Sequence, residues 1–212
     1  VRINTRLPQE PSVRARRSPI QRWLSQTLVD NHIYRASLEV GRHLPQAVPR
    51  LNRIAAEAMS NRSHRGPAHE IFVSPRLVKF HEVEYAVPLE DGAEVLREVR
   101  HLVESRGWPL SFPFEVRTAA ADDVPLSTAF GRESMYIAMH VYHRQDPREW
   151  FSEVERIFIA ALGRPHWGKM HTLGAAELAE RYPRFNDFCS IREQIDPERR
   201  FGSAYMTQLF GE

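Results

Sequence analysis

The hydrophobic period of this chain alternates between two and about four residues in a fixed order, and that order restricts the fold more than any other feature. From Val78 to Val87 the residues alternate, with Val78, Phe80, Glu82 and Glu84 on one side and Lys79, His81, Val83 and Tyr85 on the other. Neither side is cleanly apolar, so both are expected to be partly covered. Pro88 to Asp91 reads as a turn. It leads into an amphipathic helix whose inner stripe is Val95, Leu96, Val99, Leu102 and Val103, and Gly107 is its expected end. Phe112 to Thr118 and Met135 to Tyr142 read as strands, separated by a polar loop over 119–133. Pro147 to Leu162 is a second amphipathic helix, through Trp150, Val154, Ile157 and Phe158. Strand, helix, strand, strand, helix predicts an α+β fold, an antiparallel sheet covered on one face by helices.

The flanking segments add to this core. Residues 1–18 hold Pro8 and Pro11 among Arg6, Arg14, Arg16 and Arg17 and read as an arm or linker. The basic cluster is either an anion contact or a solvated face. Residues 19–68 read as a helical segment: Ile20, Leu24, Leu28, Ile33, Leu38, Val40 and Leu44 recur at helical spacing, Gly41 and Pro45 break the run, and a further stretch follows through Leu51, Ile54, Ala55 and Met59. At least two helices are expected there, then a loop over 60–68. The core spans 69–162 and opens with a short strand at Glu70–Val73. Residues 163–212 hold a loop, two short helices around 174–181 and 184–194, and an apolar tail ending Leu209-Phe210-Gly211. The first residue is Val1, in a strand-like run, which suggests a chain cut from something larger.

Charge and cysteine content exclude several classes. Lys plus Arg total 29 against 27 for Asp plus Glu. A balance so close gives no reason to expect nucleic acid or an anionic membrane as the main partner. The one cysteine, Cys189, cannot form an intrachain disulfide and fits a reducing compartment. No run of about 18 apolar residues is present, so no transmembrane helix is expected.

Three places concentrate chemistry. Glu115 and Arg117, two apart on a strand, share a face. Together they offer acceptors and a forked donor that can orient polyol hydroxyls, or else they form a surface ion pair of little consequence. His140 and Tyr142 share a face of the following strand, and the two strands side by side would bring four polar groups onto one patch. A lone histidine is otherwise a packing residue. The loop His166-Trp167-Gly168-Lys169 is the most specific segment: Trp and Gly let backbone approach a flat ring, and Lys169 adds a positive charge of the kind that stabilises an anionic reduced flavin. The plainer reading is a packed turn. None of the ten histidines has a convincing metal-ligand spacing, so no metal site is expected.

The string Arg164-Pro-His-Trp-Gly-Lys169 with His171 resembles the signature of the aldonolactone oxidase and alditol oxidase family of vanillyl-alcohol-oxidase-type flavoproteins. That family includes D-arabinono-1,4-lactone oxidase and L-gulono-1,4-lactone oxidase or dehydrogenase. Ser74-Pro75-Arg76, Glu82 to Pro88, the Glu115–Arg117 and His140–Tyr142 strands, and the C-terminal Asp196-Pro197, Phe201, Tyr205 and Leu209-Phe210-Gly211 are similar to it in the same order. The likeness is strong over residues 70 to 212 and loose before them.

The resemblance implies an oxidoreductase that takes hydride from a CH–OH carbon of a sugar lactone or polyol, with oxygen or a carrier as final electron acceptor. It implies FAD, bound mainly by an N-terminal domain of the same protein, and a chain that is the C-terminal cap over the flavin. Carried over by position, Glu115 and Arg117 bind substrate hydroxyls, with Arg117 near the oxidised carbon. His140 and Tyr142 line the same pocket, and Arg117, His140 and Lys169 are the catalytic candidates. Lys169, His166, Trp167, His171 and Tyr205 are the cofactor contacts. The family commonly has Gly where Arg199 stands and Asn where Ser203 stands. A cytoplasmic protein, peripheral to a membrane or free of it, fits this reading, as does a homodimer formed through an exposed sheet edge. The alternative is a non-catalytic interaction domain that keeps the cap fold.

Overall fold

The computed structural model describes residues 31–58 and 77–211. The chain divides into two compact units, Val1–Lys79 and Phe80–Glu212. The expected strand at Glu70–Val73, and the arm, lie outside the described residues.

In the first unit, helix α1 (Tyr34–His43) is followed by a 3-10 turn (Pro45–Ala47) and helix α2 (Val48–Ala58). Two helices are thus present where at least two are expected. Gly41 does not break α1; it is buried within it. Pro45 does the breaking, because it cannot donate an amide hydrogen to the turn before it, and Leu44 N–H closes the helix on Val40 O at 2.8 Å. Of the periodic residues that are described, only Leu38 is buried, while Ile33, Val40, Leu44 and Ile54 are exposed; Ile20, Leu24, Leu28, Met59 and the loop expected over 60–68 lie outside the described residues. Asn31 Oδ1 accepts the Leu77 amide at 2.7 Å.

The second unit is the α+β fold expected. Its strands are β1 (Phe80–Pro88), β2 (Glu115–Ala119), β3 (Ser134–Tyr142) and the two-residue β4 (Arg164–Pro165). They form one antiparallel sheet in the order β2-β3-β1-β4. Helices α3 (Leu89–Arg106) and α4 (Arg148–Ala160) pack on one face. Val83, Tyr85 and Val87 of β1 and Ile137, Met139 and Val141 of β3 meet Val95, Val99, Val154 and Phe158 in the core. Each of those strand residues is two from the next, so period two alone sends them to the same side. Strand β1 lies between two neighbours and is buried over both faces from Glu82 onward, which is why neither side of it reads as plainly polar.

Two boundaries differ from expectation. No turn separates β1 from α3: the helix starts at Leu89, directly after Pro88, and the Leu89 amide is satisfied by Glu133 O at 3.1 Å. Glu90 and Asp91, which resemble turn residues, occupy the first helical turn, where negative charge complements the helix dipole. Strand β2 begins at Glu115, not Phe112. Pro113 removes a ladder donor just before it, and Phe112 serves the site described below. Gly107 ends α3 in a left-handed conformation, φ 63°. Gly92 lets α3 approach β3 closely: a Cβ there would lie 2.6 Å from Met135 Sδ.

After β4 come α5 (Ala175–Arg181), α6 (Phe185–Ile195) and α7 (Ala204–Phe210). The apolar tail is therefore a helix. Ser203 caps it by accepting from the Met206 amide, and Gly211 ends it at φ 73°. Leu173, Leu178, Tyr182, Phe185 and Leu209 extend the core into this part. No helix among the described residues is long and apolar enough to cross a membrane.

Candidate active site

The sheet face opposite α3 and α4 carries charge. Register places Glu82 of β1 across from His140 of β3. It places Glu84 across from Ala138, which in turn faces Glu115 of β2. Two carboxylates on the central strand are thus buried, Glu82 at 9 % exposure and Glu84 at 1 %. Charges so placed are costly unless paired, and each is paired.

Arg117 donates through Nη2 to Glu84 Oε1. It comes from the edge strand β2 and reaches over β3 to do so. Ala138, which stands beside Glu84 on β3, contributes only a methyl and leaves the guanidinium room, while Tyr136 stands opposite Arg117 itself. Arg117 Nε is 3.7 Å from Glu115 Oε1, so the neighbour on its own strand is the weaker partner. The guanidinium also lies 5.9 Å from the Tyr136 ring centroid and remains half exposed.

Glu82 bridges two groups. His140 Nε2 is 3.1 Å from Oε1, and Lys169 Nζ donates to Oε2. The imidazole packs in a three-ring cluster with Phe80, edge-on at 5.0 Å, and Phe112, stacked at 5.9 Å. Burial pushes His140 below the usual histidine range; Glu82 and Glu115 pull the other way and Lys169 adds to the lowering. A neutral ring whose Nε2–H donates to Glu82 keeps an acceptor at Nδ1, and Nδ1 is buried with no partner among the described residues.

The Lys169 loop is built as an extension of the sheet. His166 N–H donates to Glu84 O at 2.9 Å and Met170 N–H to Glu82 O at 2.8 Å, so the loop runs along the free edge of β1. Lys169 N–H closes a turn on His166 O at 2.9 Å. Trp167 turns away into the C-terminal aromatic cluster, 5.2 Å from Tyr182 and 5.7 Å from Phe210. Tyr205 of α7 donates to Trp167 O, and its hydroxyl is 2.9 Å from His171 Nε2. At the loop exit, buried Glu155 of α4 accepts from Thr172 N at 2.8 Å, Thr172 Oγ1 at 2.7 Å and Tyr85 Oη at 2.5 Å.

Glu115, Arg117, His140 and Lys169 therefore share one face, tied together through Glu82 and Glu84. Tyr142 keeps the alternation of β3 but is fully buried opposite Phe80 and does not reach the open part. His166 is exposed at the rim, its Nδ1 accepting from Gly168 N–H at 3.0 Å. Trp167, His171 and Tyr205 brace the loop from behind. Sequence reasoning did not single out Glu82 and Glu84 as site residues. The available signal was two acids at spacing two inside a run bounded by Val83, Tyr85 and Val87, a pattern that is costly to bury without counter-charges.

The family model for D-arabinono-1,4-lactone oxidase matches residues 2–209. The chain belongs to the D-arabinono-1,4-lactone oxidase family. An L-gulono-1,4-lactone dehydrogenase of Mycobacterium tuberculosis is 43 % identical over 173 residues, covering 82 % of this chain and 40 % of that protein. The L-gulonolactone oxidase of Bos taurus is 30 % identical over 195 residues, 89 % of this chain and 44 % of that protein. The alditol oxidase of a Streptomyces species is 32 % identical over 129 residues, 59 % of this chain and 30 % of that protein. This member of the lactone oxidase family thus spans less than half the length of the relatives it matches. Two positions differ from what the resemblance leads one to expect. Arg199, where Gly is expected, adopts φ 54°, a left-handed backbone that glycine reaches without strain. Ser203, where Asn is common, caps α7, and either residue can do so.

Proposed function

We propose that this chain supplies the substrate-binding face of an FAD-dependent oxidoreductase that oxidises a CH–OH group of a sugar lactone or alditol. The observation that carries the reading is the double role of Glu82. One carboxylate joins His140 of the sheet to Lys169 of the loop, and so makes one site from segments far apart in the chain.

The residues suit a flavin and a polyol. Lys169, fixed by Glu82 and still 27 % exposed, offers a cation to the electron-rich edge of an isoalloxazine ring, and exposed Gly168 beside it carries no side chain to hold the ring off. FAD, when bound, would supply the acceptor for the hydride that leaves the alcohol carbon. Arg117 directs its remaining N–H groups toward a substrate hydroxyl, and Glu115 accepts from a neighbouring one. The hydroxyl proton leaves to a base or to water held by Arg117, His140 or Lys169. Charge that builds on the oxygen is stabilised by two cations already in place, which avoids reorganisation during the reaction. His166, Trp167, His171 and Tyr205 hold the loop that carries Lys169. FAD would be held largely by another part of the full-length protein, with oxygen or a carrier as the final electron acceptor.

The test is Lys169→Met in the full-length, FAD-loaded protein, with flavin bleaching by lactones and alditols followed in a stopped-flow instrument. Bleaching slowed by at least about 100-fold is the expected result, the scale typical of losing one preorganised electrostatic group. Bleaching at the wild-type rate would overturn the assignment.

A further inference from the structure

Arg117 and Lys169 are the cations that reach the open part of the site, and a buried carboxylate already engages each one: Glu84 holds Arg117 and Glu82 holds Lys169. Half-exposed Glu115 adds a third carboxylate 3.7 Å from Arg117. Two further guanidiniums keep their charge but direct N–H groups to the main chain and not to the open part. Arg132 donates to Ala86 O, and Arg164 to the carbonyls of Arg181, Thr128 and Phe130. His140 remains neutral at neutral pH because burial lowers its basicity. Its Nδ1 is buried without a partner among the described residues and adds no charge to the face. The two cations that reach the open part are therefore both already ion-paired with buried carboxylates.

An anionic ligand meets in Arg117 and Lys169 two cations whose charge Glu84 and Glu82 already offset, and it gains a full ion pair only by drawing one of them away. That leaves a buried carboxylate without its counter-charge, which costs more than the new and more exposed pair returns. A neutral polyol incurs no such loss. It donates to the free lone pairs of Glu115 and accepts from N–H groups of Arg117 that Glu84 does not use.

On the functional reading given above, we propose that Glu82 and Glu84 are specificity-determining residues. They confine the site to uncharged polyhydroxylated substrates and turn away the carboxylate forms of the same sugars, the ring-opened acid anion of a lactone among them.

The experiment takes the full-length, FAD-loaded protein and a lactone or alditol that it turns over. The KM for that substrate is compared with the inhibition constant of the sodium salt of the corresponding sugar acid. Wild type, Glu84→Gln and Glu82→Gln are measured side by side. In wild type the anion is expected to bind at least about tenfold more weakly than the neutral substrate. Either substitution should narrow that ratio by about tenfold, since one unit of charge close to a partly desolvated site is removed while the amide keeps a hydrogen bond to the cation. The ratio is independent of a general loss of affinity, and Glu82→Gln carries the comparison if the more buried Glu84 does not tolerate replacement. Equal binding of anion and neutral substrate in wild type, or an unchanged ratio in the variants, would overturn the inference alone. Failure of wild type to oxidise any lactone or alditol would defeat the functional reading and this inference with it, before any variant is made.

Discussion

Arg117 on the edge strand is ion-paired with Glu84 on the central strand, two strands away and 33 residues apart in sequence. Strand β3 lies between them, with Ala138 level with Glu84 and Tyr136 level with Arg117, so the pair runs diagonally across it. A carboxylate at 1 % exposure is paired with a cation delivered from the rim. The arrangement joins the interior of the sheet to its open face.

Ala138→Leu should disrupt this pairing. The added carbons occupy the space over which the guanidinium passes, and overpacking of this kind costs about 1–3 kcal/mol. We expect a folded protein with a lower urea midpoint and, in the full-length enzyme, a fall in kcat/KM well beyond that of Ala138→Gly. Equal kcat/KM for the two variants would show that Arg117 does not need the gap.

His140 gives the fold a pH dependence with a definite sign. Its native basicity is lowered, chiefly by burial. Below the ordinary histidine value near 6.5 the unfolded chain therefore binds a proton that the native chain does not. Stability then falls as pH drops below that value, down to the native titration, and the contribution is constant above it. His171 is lowered by burial as well and acts in the same direction. Urea midpoints measured from neutral pH into the acid range should fall less steeply for His140→Gln than for wild type. Parallel profiles would contradict the assignment.

Glu155 is buried and accepts three hydrogen bonds, from Tyr85 and twice from Thr172. Glu155→Ala strands those donors and opens a small cavity. A loss of about 2–4 kcal/mol is expected, combining unsatisfied groups with lost packing. Chemical denaturation reads it directly, and a loss below about 1 kcal/mol would mean that water replaces the carboxylate without difficulty.

Tyr205→Phe removes the hydroxyl that ties α7 to Trp167 O and His171. The site is partly exposed, so the global effect should be small, about 0.5–1.5 kcal/mol. The local effect should be larger. Amide exchange at Lys169 and Met170, whose N–H groups bond to His166 O and Glu82 O, should speed up while the β1–β3 ladder keeps its protection. Unchanged exchange at both amides would remove Tyr205 from the loop's support.

Much of the fold is legible in the sequence because its signals are local. Period two over Val78–Val87 and Met135–Tyr142, and the apolar stripe from Val95 to Leu102, identify strands and a helix without knowledge of what they pack against. Gly107 marks the end of α3 for a reason internal to that residue's backbone. The misreadings occur where a local pattern has two solutions. Pro88-Leu-Glu-Asp91 suits a turn or a helix start, and contact with Glu133 selects the second. Leu209-Phe210-Gly211 is apolar in any conformation, and packing on α5 and Trp167 makes it helical.

The sequence by itself determines the order of the elements, the residues that each strand sends to the core, and the likeness of the His166–Lys169 loop to one family of flavoproteins. Only the tertiary structure decides the partners within the site. Glu115 and Arg117, adjacent on one face, look like a pair, yet Arg117 is bonded to Glu84. Lys169, on a loop with no acid nearby in sequence, is bonded to Glu82, 87 residues away. The physical reason is register. A one-residue slip between β1 and β3 would send Glu82 and Glu84 to the opposite face. What prevents the slip is the packing of Val83, Tyr85 and Val87 against helices elsewhere in the chain, and no local stretch of sequence encodes that.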